Sequence, residues 1–62
     1  MNTYRICITR EGRPPVEVTT MLFGDHAAVR RAQSLSRAAA LVEVWRGPTC
    51  IYSNAPGWLL AS

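Results

Sequence analysis

The sequence predicts an α+β fold: a ββαββ two-layer sandwich, with a four-stranded antiparallel sheet and one helix on one face. Three observations predict it. Two segments that alternate apolar and polar residues precede Gly24, and two more follow residue 40. Only one stretch, 25–39, carries a helical period. Two hairpins joined by a crossover helix close most simply as an antiparallel sheet with the helix laid across it. The first strand is expected beside the third, at the centre. The domain is expected over 1–54, followed by an apolar tail, 55–62.

The first strand is expected over 3–10. Tyr4, Ile6 and Ile8 point one way and Arg5, Cys7 and Thr9 the other, and branched and aromatic residues dominate. Glu11-Gly12-Arg13-Pro14-Pro15 ends it, because two prolines cannot donate to a ladder and Gly12 permits a positive φ. The second strand is expected over 16–23. Val16, Val18, Thr20 and Leu22 are assigned to the core, and Glu17, Thr19 and Met21 to the other face.

Gly24 turns the chain into the helix. Asp25 is placed to act as N-cap, its carboxylate accepting from a free N–H of the first turn. Ala28, Val29, Ala32, Leu35, Ser36 and Ala39 recur at three- and four-residue spacing and form the buried face. The alanines allow close approach but bury little area. Val29 and Leu35 are expected to supply the anchoring, at about 1.5–3 kcal/mol each when fully buried. Arg37 stands near the C-terminal end, where its charge suits the macrodipole.

The third strand is expected over Leu41–Arg46, with Val42 and Val44 on the core face and Glu43 and Trp45 on the other. Gly47-Pro48 makes a tight turn. The fourth strand is expected over Thr49–Ser53, with Ile51 towards the core and Cys50 and Tyr52 away from it. Asn54-Ala55-Pro56-Gly57 ends the sheet. The run Ala38-Ala39-Ala40-Leu41-Val42-Glu43-Val44-Trp45-Arg46-Gly47, followed by Ile51-Tyr52, resembles the second half of many short bacterial proteins. In these an alanine- and arginine-rich helix runs into a V-x-V-W-x-G hairpin. The resemblance covers roughly the last two thirds of the chain. It implies the ββαββ order and no activity, since those proteins are uncharacterised as a group.

Composition narrows the function classes. A chain of 62 residues makes one small domain, which buries only about 60% of the surface exposed when it is unfolded. At 48% hydrophobic residues it has enough apolar material for a core, so disorder is not expected. No apolar run reaches the roughly 18 residues of a membrane span. The opening residues lack the apolar region of a signal peptide, so the expected compartment is the cytoplasm. The net charge of +3 comes from seven scattered arginines, without a lysine, against four acids. It permits an anionic partner without demanding one.

No phosphate-cradling glycine loop, carboxylate pair or nucleophile–base pair is visible. His26 is the only histidine, and its neighbour Asp25 is assigned to capping. Cys7 and Cys50 would be neighbours only if the first and fourth strands paired, and a zinc site would then still lack ligands. No cofactor, metal or catalytic residue is therefore expected, and the chain is read as a non-enzyme.

Two surfaces remain. The sheet face away from the helix is expected to present Trp45 and Tyr52, with Trp58, Leu59 and Leu60 of the tail nearby. Such a patch suits self-association, most simply a homodimer. The alternative is weak, non-specific nucleic-acid binding through the helix row His26, Arg30, Gln33 and Arg37, with Arg31 beside it.

Overall fold

The computed structural model describes residues 1–37 and 41–56. It contains β1 (Asn2–Thr9), β2 (Val16–Leu22), α1 (Asp25–Leu35), β3 (Leu41–Arg46) and β4 (Thr49–Ser53). The four strands form one antiparallel sheet in the order β2-β1-β3-β4. This is the predicted ββαββ fold, with β1 beside β3 at the centre.

Turn chemistry fixes both hairpins. The Arg13 N–H donates to the Arg10 carbonyl at 3.1 Å, and Gly12 at φ 75° takes the left-handed position of a type II turn. Arg46 pairs with Thr49, leaving a two-residue loop, Gly47-Pro48. Gly47 has φ 58°, as the first central position of a type II′ turn requires, and proline tolerates the second.

The helix starts differently from the expectation. Gly24, with extended backbone, is the N-cap, and its carbonyl accepts from the Ala28 N–H at 3.1 Å. Asp25 is the first helical residue and makes no capping bond, because its carboxylate is held by the sheet instead. The helix also stops sooner. Ser36 donates both its N–H and its hydroxyl to the Ala32 carbonyl, at 2.9 and 2.8 Å. Arg37 therefore follows the helix, and Ala39 lies outside the described residues.

Tyr4, Ile6, Ala28, Ala32, Val42 and Val44 form the buried core. Val29 and Leu35, expected as the anchors, are only half-buried. With alanines at the contact the helix lies close to the sheet, and the large buried side chains come from the strands: Tyr4, Val42 and Val44.

Two face assignments are corrected. Tyr52 was assigned by simple alternation to the open face together with Cys50. Cys50 does pair with Trp45 there, but the register shifts next to it, and Tyr52 pairs with Val44. The extra residue is Ile51, and a bulge of this kind returns the following side chain to the face opposite the one alternation predicts. Tyr52 accordingly packs against the core from the helix side, as does Ile51. The second correction concerns β2. Val16 and Val18 lie on the helix side but are exposed, and Phe23 falls just past the strand. A helix about 10–12 Å across covers only two or three strands spaced by about 4.8 Å. Here α1 packs chiefly on β3 and β4 and leaves most of β2 bare.

Candidate interaction surface

The open sheet face is built by cross-strand register. Arg5 lies between Thr19 of β2 and Trp45 of β3. Its guanidinium carbon is 5.7 Å from the centroid of the Trp45 ring, in range for a cation–π contact. Its Nε is 3.8 Å from Glu17 Oε2, and both side chains are about half exposed. The same carboxylate oxygen accepts from the Cys7 thiol at 3.7 Å. Burial, and then the negative charge of Glu17, push the Cys7 thiol above its ordinary pKa. That keeps it protonated and a poor nucleophile. A shallow recess of about 340 Å³ runs beside Arg5 and Trp45, bounded by Thr3, Thr19 and Gly47.

Cys7 and Cys50 do not meet. β3 lies between their strands, with Cys7 opposite Glu43 and Cys50 opposite Trp45, and both thiols are free. Among the described residues no three His, Cys, Asp or Glu side chains gather as metal ligands would.

On the helix side the fold holds a polar knot that the sequence did not announce. The fully buried Tyr4 donates its hydroxyl to Asp25 Oδ1 at 2.7 Å, and Arg46 pairs with Asp25 Oδ2. One carboxylate thus ties the start of α1 to β1 and to the end of β3. The Tyr4 hydrogen bond and then the Arg46 contact hold Asp25 below the ordinary carboxylate range. Burial and the same hydrogen bond raise Tyr4. With its carboxylate so engaged, Asp25 is poorly placed to assist the exposed His26.

Arg30, Arg31 and Arg37 are exposed, and none has an acidic partner among the described residues. They do not form one helical row, because Arg37 follows the helix. Arg31 borders an apolar cleft of about 210 Å³ between α1 and β1–β2, with Ile6, Ile8, Val18, Thr20 and Leu35.

The largest departure from expectation is the edge strand β2. Val16 is 51% exposed, Val18 44% and Met21 58%, and Phe23 beyond it is 85% exposed. The sequence did carry a signal for this. A single alanine-faced helix cannot cover four strands, so with the first and third strands at the centre one of the two edge strands, β2 or β4, stays bare. Of the interface residues expected, Trp45 lies half-buried on the open face and Tyr52 has moved to the other. Trp58, Leu59 and Leu60 lie outside the described residues. No helix among the described residues is long and apolar enough to cross a membrane. Comparison with known protein families, curated proteins and solved structures finds no match.

Proposed function

We propose that this chain is a structural or protein-interaction module that associates with itself, and not an enzyme. The observation that carries the reading is the exposure of large apolar side chains on both faces of the edge strand β2, Val16 and Val18 on the helix side and Met21 on the open side, with Phe23 just past its end. An edge strand that is apolar on both faces and has no second neighbour among the described residues suits pairing with another strand. The half-buried Trp45 under Arg5 adds an aromatic anchor on the open face. The engagement of Asp25 by Tyr4 and Arg46, and the placement of the Cys7 thiol against the Glu17 carboxylate, favour binding over catalysis. A cytoplasmic setting belongs to the same reading, supported by the two free thiols. Multi-angle light scattering over a range of concentrations tests it. A mass approaching twice that of the chain is expected, and a monomer at millimolar concentration removes the reading.

A second reading, weak non-specific nucleic-acid binding, has the exposure of Arg30, Arg31 and Arg37 behind it. Its test is salt-sensitive association with DNA and RNA oligonucleotides, abolished by charge reversal at all three positions. We expect no such association, since the exposed arginines are few and do not form one row.

A further inference from the structure

Among the described residues the sheet order leaves two edges, β2 and β4, and they differ. β4 has five residues and a register shift against its neighbour. β2 has seven, and all of them pair with β1 without a break, from Leu22 opposite Asn2 to Val16 opposite Ile8. A long, regular edge presents an unbroken row of free backbone donors and acceptors. Proteins commonly blunt such an edge with lysine, proline or a bulge. β2 has none of the three, and Pro14 and Pro15 stand just outside it. Its one charge, Glu17, is turned to Arg5 and Cys7 of its own chain.

We infer that the β2 edge docks against the β2 edge of a second copy, antiparallel about a two-fold axis, to make one continuous eight-stranded sheet. The inference rests on the self-association reading above and states where the contact lies. The strand is complementary to itself. An axis perpendicular to the sheet keeps both helices on one side, and residues directly opposite one another then share a face. With the axis at Thr19, every residue of β2 has a partner. Val16 faces the partner's Leu22, Val18 faces the partner's Thr20, and Glu17 faces the partner's Met21. On the helix side apolar side chains meet apolar or neutral ones; on the open side each Glu17 lies across from the partner's Met21 with its carboxylate held by Arg5 of its own chain, and the two Glu17 carboxylates stand four residues apart along the strands, about 13 Å. Moving the axis to Glu17 sets the two acids directly opposite, and moving it to Val18 or Thr20 leaves strand ends unpaired. A second copy therefore satisfies the whole edge in one register without burying an unpaired charge. The partner's β2 also extends the floor of the cleft bordered by Val18, Thr20 and Leu35. A single seven-residue strand pair is small beside the roughly 1,000 Å² of a stable interface, so the dimer is concentration-dependent.

The test is register-specific disulfide trapping in the full chain, with Cys7→Ser and Cys50→Ser as background. Thr19→Cys places two thiols opposite each other at the axis, within the Cα separation of about 4.4–6.8 Å that a disulfide needs. Val16→Cys places them six residues apart, about 20 Å. Mild oxidation, at a concentration where light scattering shows the background protein as a dimer, is expected to trap Thr19→Cys and not Val16→Cys. Val18→Lys, which restores an edge charge, is expected to raise the dimer Kd at least about tenfold. Circular dichroism checks that each variant is folded. Equal trapping of both cysteines, failure of Thr19→Cys while the background protein is dimeric, or an unchanged Kd in folded Val18→Lys overturns the edge contact and leaves self-association standing. A background protein that is monomeric throughout overturns both.

Discussion

Asp25 shows how a residue's chemistry is legible while its partner is not. An Asp beside a Gly at the head of a helical period reads as a cap, since the rule weighs only near neighbours. The partner that takes it, Tyr4, lies 21 residues away in sequence and depends on the sheet being formed. The pH dependence follows from the direction of each shift. Asp25 is lowered on folding, so its stabilisation is present above the ordinary carboxylate value and is lost as the pH falls through the lower folded value, below about pH 4. Tyr4 is raised, so its contribution is present below the ordinary phenol value and is lost at still higher pH, above about 10. Urea unfolding across pH is expected to show a shallower acid limb in Asp25→Asn. Tyr4→Phe keeps the buried ring and loses the bond, lowering the folded-to-unfolded ratio by roughly threefold to tenfold at neutral pH. Asn54 belongs to the same scale. It reads as a turn former, yet its Oδ1 accepts from the Val42 N–H at 2.9 Å while its own N–H donates to the Val42 carbonyl at 3.2 Å. Asn54→Ala leaves that buried-strand N–H without its acceptor and is expected to cost about 1–3 kcal/mol, measured from the urea midpoint.

At the level of elements, strand identity and strand ends were readable because alternation and turn residues agree over both hairpins. Faces were readable until the ladder broke. No periodicity rule foresees that Ile51 is the extra residue, because a bulge depends on how two strands pair, and so Tyr52 was placed on the wrong side. The helix was overextended for a related reason. Its alanines and Leu35 keep a helical period past residue 35, but periodicity marks a face and not a helix end, and the helix closes at Leu35 with Ser36 as C-cap. Which residues anchor α1 is now testable. Ala32 is fully buried against the sheet, so Ala32→Leu overfills a closed contact and is expected to cost about 1–3 kcal/mol. Half-buried Leu35 borders an open cleft, and Leu35→Ala is expected to cost only about 1–2 kcal/mol. Arg30→Ala, on the exposed side, should stay within about 0.5 kcal/mol of the parent. Reversal of the first two values would mean that Leu35, and not the alanine face, holds the helix down.

Over the whole molecule, the thin layer between helix and sheet makes stability and association one question. Among the described residues the buried side chains are few, and four large apolar ones remain outside along Val16 to Phe23. Burial of that edge in a dimer adds to the stability of each copy by mass action. The melting temperature is therefore expected to rise across roughly a hundredfold range of protein concentration, and a constant value in calorimetry would separate folding from association. The strand order was legible as the simplest closure of two hairpins, but the bare edge follows from the width of one helix against four strands. The same order has a consequence for a chain still being made. β1 sits at the centre, yet one of its two neighbours, β3, begins at Leu41. About 23 residues separate the end of β2 from Trp45, which is on the order of 1–5 s of ribosomal synthesis. A hairpin forms in about 1–10 μs, so β1 and β2 have ample time to meet, though a lone pair of strands is only marginally stable. During those seconds the side of β1 destined for the middle of the sheet faces whatever else is nearby. In the growing chain it is the innermost strand, rather than the outer one, that waits longest for its second neighbour.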